Sequence, residues 1–248
     1  MTSVGSLPGG ATDSPQDRVD LRPLFDEWGL SPRTQGLRGT CSVFTVTGAL
    51  EFAMAALQGQ GRPLSVEFLN WAGHRAADRS VDGGFFSELW AGYEAYGVCP
   101  EAALPYRPTF DAALEPGAEA LREARERRGV GLVLKWIKEW GPETGLTESE
   151  RAEIKATLRR RLPICGGFRW PTKPVWREEV LQVPPPEEVF DGHSVLLVGY
   201  RDDARHAGGG VFLIRNSGRD GVEGGLPYAY VSAYMNDAAW IGPGPDGS

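Results

Sequence analysis

From Val43 to Leu57 apolar residues return every three or four positions. Val46, Leu50, Met54 and Leu57 fall on one stripe with Ala49 and Ala53 between them, the period of a helix packed along one face. Ser65 caps a second predicted helix running through Trp71, and Ser87 a third that carries Leu89, Trp90 and Tyr93. Glu119 to Arg128 reads as a charged helical stretch. Leu132 to Trp140 reads as an amphipathic helix with Trp136 and Trp140 at helical spacing. The capping box Thr147-x-x-Glu150 opens one more helix, with Ile154, Leu158 and Leu162 on one face and Pro163 ending it.

After Pro163 the pattern changes to short apolar runs separated by turn residues. Ile164 to Phe168, the run after His193, Val211 to Ile214, and Tyr228 to Ser232 are the predicted strands of a small antiparallel sheet. Trp170 to Pro186 is proline-rich and reads as a surface excursion, and Arg201 to Gly210 as a polar turn.

Candidate chemistry lies at the ends of these elements. The glycine-punctuated stretch Gln35-Gly36-Leu37-Arg38-Gly39-Thr40 delivers Cys41 to the start of the first helix. There, partial positive charge and unpaired N–H groups favour a thiolate. A free cysteine alone is more often a small apolar filler. Two further residues change that reading: His193 at the mouth of one apolar strand and Asn216 at the end of the next. A thiol, an imidazole and an amide, each at the end of a packed element, form a Cys-His-Asn arrangement.

The 248 residues, 41% hydrophobic and 24% charged, suffice for one large domain or two small lobes. A formal charge of -7 offers no basic patch for a nucleic-acid backbone. Cys41, Cys99 and Cys165 are too few and too far apart for a disulfide framework, and none has a Cys-x-x-Cys metal spacing. Met1 to Gln16 lacks the basic start and apolar stretch of a secretory signal, and no apolar run of membrane-spanning length is evident. The expectation is a cytoplasmic protein with no metal or cofactor and no nucleic-acid or membrane partner.

With these residues in view, the chain resembles the papain family of cysteine peptidases, in particular its compact bacterial members without disulfides. The resemblance is carried by Gln35-Gly36, Gly39-Thr40-Cys41, Asp82-Gly83-Gly84, the His193 strand, Asn216-Ser217 and the opening Val19-Asp20-Leu21-Arg22-Pro23. It runs from about Val19 to about Met235. It implies an α+β fold of two lobes with a cleft between them: a lead over 1–17, a helical lobe over about 30–160, a β lobe over about 161–241, and a disordered tail over 242–248. By the same resemblance Cys41 attacks a peptide carbonyl, His193 exchanges the proton, Asn216 orients the imidazole and Gln35 stabilises the oxyanion. Gly83 and Gly84 pair main chain to main chain with a polypeptide substrate. Phe85, Phe86, Gly192 and Ser194 line the main side-chain pocket, with Phe86 narrowing its entrance and an apolar side chain expected two residues before the cut. Without an inhibitory propeptide, control would fall to substrate choice, a regulatory protein partner or localisation.

Three positions depart from the family pattern. Arg38 stands at a disulfide position of the secreted relatives, Ser42 replaces an aromatic beside the nucleophile, and Gly218 replaces the tryptophan that shields the asparagine–histidine bond. Two other readings stay open: a degenerate relative kept as a peptide-binding module, and a thiol acyltransferase. The latter usually orients its histidine with an acid.

Overall fold

Eighteen consecutive residues with only one charged side chain among them form the helix on which the rest of the chain is folded, α2 below. The computed structural model describes residues 17–218 and 223–244. It begins with strand β1 (Arg18–Asp20) and helix α1 (Arg22–Glu27), followed by α2 (Cys41–Gln58), α3 (Val66–Ala77), α4 (Phe86–Tyr96) and α5 (Ala118–Glu126). Strand β2 (Leu132–Lys138) and helix α6 (Glu148–Arg159) lead to β3 (Ile164–Pro171), β4 (Trp176–Arg177), β5 (Val180–Leu181), β6 (Val189–Asp202), β7 (Gly210–Arg215) and β8 (Glu223–Pro227). Helix α7 (Tyr228–Tyr234) and strand β9 (Met235–Pro243) end it.

Among the described residues the strands form one nine-stranded sheet in the order β2-β9-β3-β6-β7-β8-β5-β4, with β1 paired to β6. All neighbours are antiparallel except β5 and β8. Helix α2 lies against β6, where Gly48 leaves only enough room for Leu196. By length and composition α2 could cross a membrane, but here most of it is buried inside the protein. Its buried residues lie on every face rather than on the single stripe expected, and Leu57 is exposed.

Local sequence explains most helix starts. The Ser65 hydroxyl accepts the Phe68 N–H at 2.9 Å, and Thr147 and Glu150 make both bonds of their capping box. Ser87 does not cap α4. The helix begins one residue earlier, and the Glu88 carboxylate accepts the Phe85 N–H instead, at 2.9 Å.

Two elements differ in kind from expectation. Leu132–Lys138 is an edge strand, not a helix: Leu134 and Trp136 share one face, and the run is paired to β9. Period two and β-favouring residues won over the helical spacing of two tryptophans. It therefore joins the sheet rather than the helical lobe expected over 30–160. Conversely, Tyr228–Tyr234 is a helix, not a strand; Pro227 ends β8, and Tyr228 and Val231 are buried at helical spacing. At the ends, Asp17 already bonds Asp202 through its carbonyl, and β9 includes Gly242 and Pro243. The rest of the expected lead (1–16) and tail (245–248) lies outside the described residues.

The loop before α2 is held by a buried guanidinium. Arg38, with 4% of its side chain exposed, donates twice to Asp82 (2.8 and 3.0 Å), once to Glu67 (2.6 Å) and once to the Arg107 carbonyl (2.9 Å). The Tyr106 ring covers it at 4.6 Å. Burial opposes the charge, yet the bonds to Asp82 and Glu67 outweigh burial and raise the Arg38 pKa further. Removing one partner of such a cluster leaves a buried charge uncompensated. Arg38→Leu is therefore expected to lower stability by about 3–5 kcal/mol in urea unfolding. A loss below about 1 kcal/mol would show that the cluster is not a structural tie.

Candidate active site

β6 and β7 are antiparallel neighbours with Leu196 opposite Arg215, so His193 and Asn216 emerge at the same end of the sheet. His193 Nε2 lies 2.8 Å from Asn216 Oδ1, which also accepts the Gly218 N–H at 2.9 Å. Two donors on one atom identify it as the carbonyl oxygen, so Nε2 carries the proton and Nδ1 is left for another partner. Cys41 on α2 interacts with the same ring: His193 is the leading influence that lowers the thiol's pKa.

Burial pushes the Cys41 thiol up, but the His193 bond, the His193 charge and the backbone N–H groups of Ser194 and Ser42 together bring its pKa below the ordinary value. Thr40 supplies no side-chain cap to α2, so the unpaired N–H groups of that helix end remain beside the sulfur. The other two thiols behave oppositely. Burial raises Cys99 to about 11 and raises Cys165 too; all three cysteines are free.

Gln35 is positioned from both sides. Its N–H donates to the Arg38 carbonyl at 2.7 Å through Nε2, while its Oε1 accepts the Ser217 hydroxyl at 2.8 Å, and its backbone N–H meets the Ser217 carbonyl at 2.8 Å. Gly83 faces away from the cleft: its N–H meets Asn70 Oδ1 at 3.0 Å and its carbonyl meets His74 Nε2 at 3.1 Å. With φ +83 and the Gly39 carbonyl where a Cβ would stand, only glycine fits there. Ser42, at the aromatic position of the family, accepts the Gly84 N–H at 3.4 Å.

A cavity of about 290 Å³ opens beside Cys41 and His193. Gly84, Phe85, Phe86, Gly192 and Ser194 line it; Gly83 does not. Phe86, 2% exposed, lies inside the wall and stacks on Trp136 rather than narrowing the entrance. The rim belongs to the exposed pair Phe85 and Trp140, ring centroids 5.1 Å apart, so the segment after β2 reaches the cleft.

Sequence reasoning missed Gly167, Asp237 and Trp170. The first two line the cavity, and a glycine doublet inside a strand was the available signal of a close approach. Trp170, assigned to a surface excursion, ends β3 and sets its ring 4.7 Å from that of His193, edge on. Gly218 borders the other side, where a Cβ would sit 3.1 Å from Asn216 Oδ1. The imidazole thus has an aromatic neighbour, although not from the position the family uses.

No family model matches the chain, and no curated protein matches it. Solved structures do. Xylellain, a cysteine protease from Xylella fastidiosa, is similar at 22% identity and a TM-score of 0.68, over 92% of this chain and 86% of that one. The digestive procathepsin L 3 of Tenebrio molitor larval midgut is similar at 17% identity and 0.62, over 95% and 73%. The ragweed pollen allergen and cysteine protease Amb a 11, in its proform, is similar at 19% identity and 0.65, over 94% and 69%. The helices, the antiparallel sheet and the cleft where α2 meets β6 are together the α+β fold of the papain-like cysteine proteases, and this chain has it.

Proposed function

We propose that the protein is a cysteine endopeptidase that hydrolyses peptide bonds through Cys41, His193 and Asn216. The observation that carries this reading is the continuous chain of contacts from sulfur to imidazole to amide, with the sulfur's pKa lowered despite burial. The Cys41 thiolate attacks the carbonyl carbon, and His193 gives its Nδ1 proton to the leaving amine, leaving a thioester. A water molecule then attacks the thioester and gives a proton to His193; the acid product departs as the sulfur leaves as thiolate, so that the thiolate–imidazolium pair is restored. Asn216 orients the ring without a full negative charge, which suits a resting thiolate–imidazolium pair.

Gln35 has the right supports for an oxyanion donor. Its amide nitrogen carries two hydrogens, and only one is used by the Arg38 carbonyl. The second, with the backbone N–H of Cys41, would meet the negative charge that develops on the carbonyl oxygen. A side chain held at both its amide atoms and anchored through its backbone supports that geometry better than a free one would.

An epoxide affinity label tests the site directly. It should modify Cys41 alone, and the protein should cleave an unfolded polypeptide, with both activities lost in Cys41→Ala. Absence of labelling and of cleavage would return the chain to a peptide-binding module.

Two further outcomes are expected. Because the Cys41 thiolate persists below the usual thiol range while Cys99 and Cys165 are held protonated, iodoacetamide at pH 6.5 should alkylate Cys41 selectively, as read by peptide mass mapping. Gln35→Ala should lower kcat by about 10²–10³, the usual loss for one oxyanion donor, with little change in KM.

A further inference from the structure

The cavity beside Cys41 has an acidic floor. In the sheet Gly167 of β3 stands opposite Ser194 of β6 on one side and Asp237 of β9 on the other. The Asp237 carboxylate lies over Gly167 so closely that a Cβ there would overlap it. Glycine at 167 therefore lets an acid reach across the strand into the cavity. Asp237 is 5% exposed, and among the described residues no hydrogen bond or ion pair satisfies its carboxylate. Burial is the main influence on it and raises its pKa to about 7, with Lys138 on β2 a smaller opposing charge. A buried carboxylate without a partner is costly in a folded chain, and such groups ordinarily have a ligand or a functional use.

The rest of the cavity suits a long cationic side chain. Phe86 and Phe168 offer apolar walls for its methylenes, and Phe85 with Trp140 offers aromatic faces at the rim. The cation already at that rim, Arg79, is paired to Glu88 at 2.7 and 2.9 Å and does not reach the floor as a free charge.

We propose that Asp237 is a specificity-determining residue that receives a lysine or arginine side chain of the bound polypeptide, two residues before the cut. An apolar side chain, the expectation from sequence, would leave the carboxylate sealed in without a partner. The proposal rests on the peptidase reading above, since the attack at Cys41 is what fixes the register of the bound chain.

The test uses fluorogenic peptides identical except for arginine, leucine or glutamate at that position. The intact protein should favour arginine over leucine in kcat/KM by about tenfold or more at pH 8, with glutamate slowest. Asp237→Asn, nearly the same shape, should bring the arginine-to-leucine ratio close to one. Equal ratios in the two proteins, or a preference for leucine in the intact one, would overturn the proposal.

Since kcat/KM reports the free enzyme, the ratio should fall as pH drops through 7, where the carboxyl becomes neutral, and should stay flat in Asp237→Asn. Lys138 on β2, Cys165 on β3, His193 on β6, Cys41 on α2 and Arg79 at the rim are present in both proteins, so the difference between them isolates Asp237.

If no peptide is turned over, the peptidase reading fails but the pocket is still measured. Calorimetry with Cys41→Ser and the same peptides should show tighter binding of the arginine peptide, lost when Asp237→Asn is added; equal affinities would overturn the proposal. A last readout concerns the unpaired carboxylate. The folded value near 7 lies above the unfolded value near 3.8, so ionisation removes stability progressively as pH rises between them. Asp237→Asn should thus raise Tm at pH 8 and not at pH 4. No gain at pH 8 would mean that the carboxylate already has a partner, and the proposal would fall.

Discussion

One buried guanidinium ties together the three segments on which the cleft depends. Arg38 belongs to the nucleophile loop, Glu67 to α3 and Asp82 to the loop carrying Gly83 and Gly84. The tie continues outward: Asn70 bonds both Asp82 and the Gly83 N–H, and the Tyr106 hydroxyl bonds the Gln35 carbonyl and Thr40. A displacement of Arg38 would therefore move the Gln35 turn, the start of α2 and the Gly84 loop together. The nucleophile loop and the Asp82 loop are joined by two charge-assisted hydrogen bonds in a fork, which fix orientation as well as distance and are indifferent to redox conditions.

The imidazole is the second point at which the chain reaches a familiar arrangement by its own means. Gly218 itself offers no side chain to cover the His193–Asn216 bond, and water competing there would weaken it. Trp170 restores an apolar neighbour from β3, and because β3 and β6 are paired along their length, that ring is held by the same sheet that holds His193. Asn216 is fixed independently, through the Gly218 N–H on its carbonyl oxygen. Orientation of the base is thus shared between a strand contact and a turn, rather than given to one shielding side chain.

What the sequence disclosed and what it hid follow from how far each signal extends along the chain. The Cys41 helix start, the Ser65 cap and the Thr147 capping box are local, since each bond closes within a few residues of the next. The convergence of Cys41, His193 and Asn216 was legible only because the resemblance supplied the long-range pairing. Leu132–Lys138 and Tyr228–Tyr234 were misread because a few aromatics fit both periods, and pairing with β9 or a preceding proline decided between them. Trp170 and Asp237 act through strand register: β3 brings 168 opposite 193 and 167 opposite 237, and no pattern within either strand announces those partners.

The electrostatics of the cleft follow from counting its charges. A thiolate and an imidazolium cancel, whereas an ionised Asp237 adds one uncompensated negative charge to a space walled by phenylalanines, where the local dielectric is low. The protein as a whole carries a formal charge of -7, the same sign as an ionised Asp237. If the proposed site is correct, acidic polypeptide segments are disfavoured at the cavity and basic ones favoured. Burial discourages ionisation of the carboxyl, and Lys138 on β2 opposes that only in part. On the proposed reading, a cationic side chain beside Asp237 offsets that cost, so a bound basic side chain and an ionised Asp237 stabilise each other.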